Sequence, residues 1–180
     1  MSDSRESHIT RLPFKLDTRE PENHPWRVDP FLIHRVCLPF GDATLSGFER
    51  ELIFERKSKN DLVQCVGRER QRFERVVTGL LGHRLPFLIV EAGWTDLENA
   101  NWPGQVTSNQ VLGSLTGWQC RGIHVVLAGD ADRAGRIVAR ICYMVARRGW
   151  AQASELLKAI GEEGHNDRNG HIVTNEEVAT

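Results

Sequence analysis

The chain has 180 residues, of which 40% are hydrophobic and 26% are charged, and its formal net charge at pH 7 is −1. No apolar run approaches the ~18 residues that a membrane helix requires, and the first ten residues lack the apolar stretch of a secretory signal. The four cysteines form no CxxC pair, which argues against a structural zinc cage or a disulfide framework. We therefore expect a cytoplasmic protein. Membrane, secreted, collagenous and zinc-finger proteins are excluded by these features.

The length corresponds to one domain with short tails. We expect the folded domain to span residues 11–160. Residues 1–10 are polar and are predicted to form a flexible N-terminus. Residues 161–180 are rich in acidic residues, glycine and asparagine, and are predicted to form a disordered tail.

Apolar runs bounded by glycine, proline and aspartate predict six strands. In chain order these strands cover residues 12–16, 31–38, 42–46, 50–57, 86–91 and 123–127. Apolar stripes at helical spacing predict the helices. They cover residues 62–81, 108–119, a stretch through Val145 that starts at Asp130 or Asp132, and residues 151–160. Strands dominate the first half, and strands alternate with helices in the second half. The expected fold is α/β, with a central mixed β-sheet flanked by helices.

Three polar residues are predicted to meet at one end of this sheet. Gly47 favours a turn that joins the third and fourth strands as a hairpin. Glu55 and Lys57 are two residues apart near the end of the fourth strand, so their side chains share a face. Asp42 opens the third strand and can reach them from the neighbouring position. Two carboxylates and one amine then converge on one spot.

Such a group of hard oxygen ligands suits Mg²⁺ or Mn²⁺, which would polarise a phosphodiester and activate a water molecule. The Arg56 carbonyl can add a ligand, while the Arg56 side chain is expected on the opposite face of the strand. The spacing alone leaves a plainer interpretation open. Gly-Asp is a common turn, Glu-Arg-Lys is a common solvated strand end, and Asp61 can be a helix N-cap.

The spacing GD, twelve residues, ERK, three residues and D resembles the active-site motif of the XPF-type structure-specific endonucleases, a family in the restriction-endonuclease-like superfamily. The matching residues are Gly41, Asp42, Glu55, Arg56, Lys57 and Asp61. Further similar segments follow the family's order. They are DTRE at 17–20, Gly67-Arg68, PFLIVE at 86–91 and the helix and strand within 108–130. The resemblance covers about residues 12–148.

This resemblance implies a restriction-endonuclease-like nuclease fold and a Mg²⁺-dependent endonuclease in which Mn²⁺ substitutes. The implied metal ligands are Asp42, Glu55 and Asp17. The implied catalytic group is Lys57 with Asp42, Glu55, Arg56 and Asp61, where Asp61 holds Lys57 or Arg56 in place. Arg19 and Glu20 are implied to have supporting roles.

The chain departs from the family pattern in two respects. The family carries a glutamine four residues after the helix arginine, and Arg72 stands at that position here. The family also appends tandem helix-hairpin-helix repeats, and the roughly 30 residues after Arg148 are too few for them. We therefore expect a stand-alone bacterial or phage form that lacks this DNA grip.

Other residues have two open interpretations. Arg68, Arg72 and Arg75 are predicted on one helix face that can track a phosphate backbone, or that is simply solvated. Trp94 and Trp102 can stack on splayed bases, although packing of their loop is the interpretation we favour.

The leading hypothesis is a metal-dependent endonuclease that cuts branched DNA, such as a flap, fork or junction, in repair or recombination. The resemblance implies a homodimer through the C-terminal helices, and a DNA-targeting protein partner is possible. One alternative is a non-catalytic DNA-binding or dimerisation scaffold. Another is a nuclease for unbranched DNA or RNA in phage or restriction-type degradation. The intact acidic motif argues against the scaffold.

Overall fold

A computed structural model describes residues 8–102 and 105–166 of the chain, with side chains described through residue 160. The strands are β1 (Phe14–Asp17), β2 (Ile33–Val36), β3 (Ala43–Leu45), β4 (Leu52–Lys57), β5 (Leu85–Val90) and β6 (His124–Leu127). The helices are α1 (Lys59–Val66), α2 (Arg70–Leu80), α3 (Trp94–Glu98), α4 (Ser108–Cys120) and α5 (Ala131–Asn166). No helix in the described part of the chain is long and apolar enough to cross a membrane.

The strands form one mixed sheet in the order β2-β1-β3-β4-β5-β6, which confirms the predicted α/β class. β3 and β4 pair as the predicted antiparallel hairpin, with Gly47 at a φ of +85° between them. β4, β5 and β6 run parallel, so their carboxyl ends lie at the same edge. Because β3 is antiparallel to β4, its first residues lie at this edge too.

The two faces of the sheet are buried by different partners. One face presents Ile53, Leu88 and Val90 to a buried cluster that includes Leu62, Phe73, Val77, Leu97, Val111, Leu115 and Trp118 from the helices. On the other face Phe54 stacks on Phe87, with ring centroids 5.5 Å apart, and Phe14 packs on Trp26 at 5.5 Å. Burial on both faces explains why β4 and β5 have continuous apolar runs rather than alternating ones.

The chain divides into two compact units, Met1–Tyr143 and Met144–Thr180. The first unit contains the whole sheet and α1 to α4. The described part of the second unit is the continuation of α5, on which Trp150, Leu156, Leu157 and Ile160 are exposed.

The predicted helix 62–81 is wrong in its continuity and in its start. The chain leaves the helix at Gly67, whose N–H bonds to the Val63 carbonyl, and a new helix begins at Arg70. Ser58, rather than Asp61, is the N-cap, because the Ser58 hydroxyl accepts the Asp61 N–H at 3.1 Å. Asp61 occupies the third position of the helix, where its charge favours the helix dipole.

Other element boundaries also differ from the prediction. The predicted loop 92–107 contains α3, and Thr107 rather than Ser108 caps α4. The helices expected before Val145 and over 151–160 are one helix, which extends to Asn166. Residues 161–166 are therefore helical, contrary to the predicted disordered tail. The rest of that tail and residues 1–7 of the predicted flexible N-terminus lie outside the described residues.

A glycine of α5 provides a test of the packing between α5 and residues 21–30, which contain three prolines and form the proline-rich loop. A Cβ at Gly135 would lie 2.2 Å from the Arg27 carbonyl oxygen, so the backbone would have to move. We predict that Gly135→Ala lowers the free energy of unfolding by about 1–3 kcal/mol, measured by urea denaturation. The matched control is Gly113→Ala on α4, where a Cβ meets nothing within 4 Å. That change should stabilise the protein by about 0.5–1 kcal/mol, and equal effects of the two changes would contradict this packing.

Candidate active site

Backbone hydrogen bonds place the Asp42 carboxylate beside the end of β4. The Asp42 N–H donates to the Phe54 carbonyl at 2.8 Å, and the Arg56 N–H donates to Asp42 Oδ2 at 2.7 Å. Gly41 makes this approach possible, because it has a φ of +68° and a Cβ there would lie 2.6 Å from Ile53 Cγ1. The Gly-Asp pair is therefore required by the geometry of this edge.

Glu55 and Lys57 project from the same face of β4, as their spacing predicts. The Lys57 ammonium forms an ion pair with Glu55 Oε1 and also donates to the Arg56 carbonyl at 3.2 Å. Its Nζ lies 5.6 Å from the centre of the Phe73 ring. Glu55 is 5% exposed, so this pair is held in a mostly dehydrated setting.

The charges of these three side chains are tightly linked. Burial and the nearby Glu55 carboxylate raise the pKa of Asp42 to about 7. Burial favours the neutral form of Lys57, but the carboxylates of Glu55 and Asp42 prevail and raise its pKa above the ordinary value. Lys57 therefore remains protonated at neutral pH. It can offer positive charge or orient a water molecule.

The three residues fit a divalent cation chemically. Asp42 and Glu55 supply hard oxygen donors, and the Arg56 carbonyl lies at the same strand end. Burial raises the pKa of Asp42 most and the nearby Glu55 carboxylate raises it further, so a cation beside the pair would favour the ionised form. No group of three or more His, Cys, Asp or Glu side chains suited to a metal occurs in the described part of the chain. Water would have to complete the coordination.

The Asp17 carboxylate is engaged by neighbouring donors, and its expected role as a metal ligand stays a prediction. Its Oδ1 accepts hydrogen bonds from the N–H and Nε of Arg19, and its Oδ2 accepts from Arg19 Nη2 and the Leu38 N–H. Both carboxylate oxygens are thus engaged inside the protein. Although burial opposes ionisation, these donors lower the pKa of Asp17. Arg19 also donates to the Leu38 carbonyl at 3.0 Å, so the pair ties together the loops that follow β1 and β2.

The Arg56 side chain points to the opposite face of β4, as strand alternation predicts. Its guanidinium lies 4.6 Å from the Trp26 ring and donates to the carbonyls of His24 at 2.5 Å and Pro25 at 3.3 Å. It also lies 3.4 Å from Glu20 Oε2 and 3.5 Å from Glu91 Oε1. The Arg56 guanidinium therefore positions the proline-rich loop, while its backbone carbonyl accepts a hydrogen bond from Lys57. The implied catalytic role of Arg56 stays a prediction.

Glu20 has a structural contact and an electrostatic effect. Its carboxylate accepts the Trp26 indole N–H at 2.7 Å, and its charge contributes to the raised pKa of Asp42. Glu91 in turn contacts His24 Nε2 at 2.9 Å. Sequence reasoning missed Trp26, His24 and Glu91. Glu91 could have been found as the acidic residue at the end of a buried strand. Trp26 and His24 could not, because contacts made across a loop follow no local sequence pattern.

A cleft of about 320 Å³ opens beside the ion pair, between the end of β4 and the helices α1 and α2. Its lining residues are Glu55, Lys57, Asp61, Gln64, Cys65, Arg68, Glu69, Arg72, Phe73 and Val76. Asp61 accepts a hydrogen bond from the Ser58 hydroxyl at 2.7 Å, so the structure gives it a partner other than the expected Lys57 or Arg56.

The predicted arginine face is only partly formed. Arg68 lies in the turn between α1 and α2, and Arg72 lies on α2, where it pairs with Glu69 at 2.8 Å. Both line the cleft, whereas Arg75 is exposed on α2 and does not. Two of the three predicted DNA-binding arginines therefore border the candidate site.

The pKa of Asp42 gives a stability test that needs no metal. Its folded pKa of about 7 exceeds the value of 3.8 for a free carboxyl, so folding favours the protonated form. The resulting stability is present below about pH 4 and is lost as the pH rises through 7. We predict that, in EDTA, Asp42→Asn stabilises the protein at pH 8 by up to about 4 kcal/mol and has little effect near pH 4.

Urea denaturation at several pH values measures this difference. Asp29→Asn is the control, since Asp29 is an exposed carboxyl in the loop between β1 and β2. A pH-independent effect of Asp42→Asn would show that neither burial nor the Glu55 carboxylate raises the pKa of Asp42.

Solved structures share this fold. XPF from Aeropyrum pernix matches with a TM-score of 0.59 and 18% identity, over 81% of this chain and 69% of that one. XPF from Aeropyrum pernix in complex with DNA matches with a TM-score of 0.59 and 19% identity, over 77% of this chain and 66% of that one. No protein-family model and no curated protein matches the sequence. The structural likeness confirms the fold expected from the motifs: the chain is built on the XPF nuclease fold.

Proposed function

We propose that this protein is a metal-dependent DNA endonuclease. The observation that carries the proposal is the convergence of Asp42, Glu55 and Lys57 at the end of β4. Glu55 and Lys57 line a cleft that Arg68 and Arg72 also line. The convergence comes from backbone pairing rather than from flexible side chains. The fold, which it shares with XPF nuclease structures, supports the same interpretation.

The proposed chemistry is hydrolysis of a phosphodiester. Bound Mg²⁺, or Mn²⁺ in its place, would polarise the phosphate and lower the pKa of a water molecule. Asp42 and Glu55 are suited to hold the cation, since both present oxygen donors at the strand end. Lys57 is positioned beside Glu55 and stays protonated, so its ammonium can stabilise the negative charge that grows on the phosphate in the transition state.

DNA is the proposed substrate because arginines border the cleft and because a structural neighbour was solved in complex with DNA. Arginine is well suited to phosphate groups, and each such contact adds salt-dependent affinity. Cutting at a flap, fork or junction, and thus a role in repair or recombination, is proposed from the sequence resemblance. The candidate site by itself recognises phosphate and does not select branched DNA over duplex or RNA.

The catalytic role of Lys57 is the direct test of this proposal. We predict that Lys57→Ala reduces metal-dependent cleavage by at least about 10²–10³-fold, because a charge aimed at the transition state is lost. Cleavage would be measured on labelled flap, fork, junction, duplex and single-stranded DNA and on RNA, with Mg²⁺, Mn²⁺ or EDTA.

Lys15→Ala is the matched control, since Lys15 lies on β1, pairs with Glu49 and does not line the cleft. It should leave cleavage unchanged. Retained metal-dependent cleavage by Lys57→Ala would sink the assignment. A folded wild type that binds these DNAs and cuts none of them would favour the scaffold alternative or a required protein partner.

We also propose that the protein forms a homodimer through α5. Trp150, Ala153, Leu157 and Ile160 are spaced by three and four residues, as in a coiled-coil seam, and all four are exposed. A second copy offers a matching stripe, and pairing would double the DNA-contacting surface.

Sedimentation equilibrium tests this dimer. We predict twice the chain mass for the wild type and the single-chain mass for Leu157→Asp, because a charge in the seam would be buried without a partner. Lys158→Asp, one residue away and outside the seam, should remain dimeric. A wild type that stays monomeric at about 100 μM would contradict the proposal.

A further inference from the structure

Three aromatic side chains lie near the catalytic end of the sheet, and two of them have clear packing partners. Phe40, two residues before Asp42, packs so closely on Gly79 that a Cβ there would lie 2.3 Å from its ring. Trp102 donates its indole N–H to Ser108 Oγ at 3.0 Å. Phe40 and Trp94 are both largely exposed, at 49% and 54%, but Trp94 begins the helix that directly follows β5.

The strand register limits how far Trp94 can lie from the end of β4. β5 runs parallel to β4, and Val90 is the direct partner of Lys57. The pairing continues for one residue, since the Glu91 N–H donates to the Lys57 carbonyl at 3.0 Å. Trp94 follows Val90 by four residues. Its Cα therefore lies within about 14 Å of the Val90 Cα, even if the chain were fully extended.

Trp94 also lies on the catalytic face of the sheet. The next turn of α3 buries Leu97, which is 0% exposed and belongs to the same apolar cluster as Ile53 and Val90. Ile53 alternates with Glu55 and Lys57 on one face of β4. The short helix that carries Trp94 is thus anchored on the face that presents the ion pair.

The backbone beneath the ring is fixed. The Gly93 N–H donates to Asp96 Oδ2 at 2.8 Å, which closes the first turn of α3. The Leu97 N–H donates to the Gly93 carbonyl at 3.2 Å. A large aromatic surface is therefore held toward solvent by a buried anchor and two hydrogen bonds. Lys59 adds positive charge nearby, at 5.4 Å from the Trp102 ring and two residues after Lys57.

We propose that Trp94 is a stacking site for an unpaired nucleobase of the DNA that occupies the cleft, an inference that rests on the proposed nuclease function. An exposed indole stacks on any base, since every base has a flat π-surface. In an intact duplex the bases are already stacked on one another and are not available to it. The ring would therefore favour DNA in which a single strand leaves a duplex close to the cut phosphate.

The test is a double-mutant cycle on DNA binding, measured by fluorescence anisotropy in EDTA so that no cleavage occurs. The DNA partners are a duplex with a single-stranded overhang, the same duplex with an abasic overhang, and a blunt duplex. The proteins are the wild type, Trp94→Ala, Trp94→Phe and Leu32→Ala. Leu32 is the control, since it is 68% exposed and next to β2 at the far edge of the sheet.

We expect Trp94→Ala to weaken binding of the overhang DNA about tenfold, as loss of one stacked base predicts. Abasic sugars should weaken wild-type binding by the same factor and leave Trp94→Ala unaffected. Trp94→Phe should retain most of the affinity, and Leu32→Ala should behave like the wild type. Binding of the blunt duplex should be the same for all four proteins. Urea denaturation verifies that the variants are folded.

An equal effect of abasic sugars on the wild type and on Trp94→Ala would overturn the stacking site, and so would a wild type that binds none of these DNAs. Parallel cleavage assays in Mg²⁺ separate this inference from the nuclease proposal. If the DNA is cleaved but abasic sugars weaken binding of the wild type and of Trp94→Ala equally, the stacking site alone is overturned. If abasic sugars weaken binding of the wild type only and no DNA is cleaved, the stacking site is supported and the nuclease proposal is not.

Discussion

The hydrogen bond from the Arg56 N–H to the Asp42 carboxylate is the interaction on which the candidate site depends. It exists because β3 is antiparallel to β4 and because Gly41 admits a backbone that other residues resist. It brings Asp42 beside Glu55, two carboxylates that repel each other when both are ionised. The adjacent ammonium of Lys57 offsets this repulsion only in part. The site is thus held in a state that favours a further cation.

Strand alternation divides the ERK segment between two tasks. Glu55 and Lys57 face the cleft, while the guanidinium of Arg56 fastens the proline-rich loop on the other face through His24 and Pro25. That loop contains few apolar residues of its own, so a cation stacked on Trp26 and tied to backbone carbonyls fixes it in place. The side chain that anchors the loop and the side chains that face the cleft are therefore consecutive residues on one strand.

The sequence was sufficient for the parts of the fold that depend on local pattern. Apolar runs located the strands, and the hairpin followed from the Gly47 turn. The convergence of Asp42, Glu55 and Lys57 followed from strand geometry and needed no knowledge of distant contacts. The sequence was not sufficient where contacts between distant segments determine the structure. The hydrogen bonds that Asp17 accepts from Arg19 and the Leu38 amide follow no local pattern. The helix propensities of local segments likewise do not predict that α5 is continuous or that the helix ends at Gly67.

The central claim is that Asp42 and Glu55 together hold a divalent cation. Binding of Mn²⁺, followed by electron paramagnetic resonance at pH 8, tests it without reference to any substrate. The account predicts saturable binding by the wild type, loss of binding in Asp42→Asn and in Glu55→Gln, and retained binding in Asp61→Asn, which removes a cleft carboxylate outside the pair. Absence of binding by the wild type, or equal binding by all four proteins, would contradict the account.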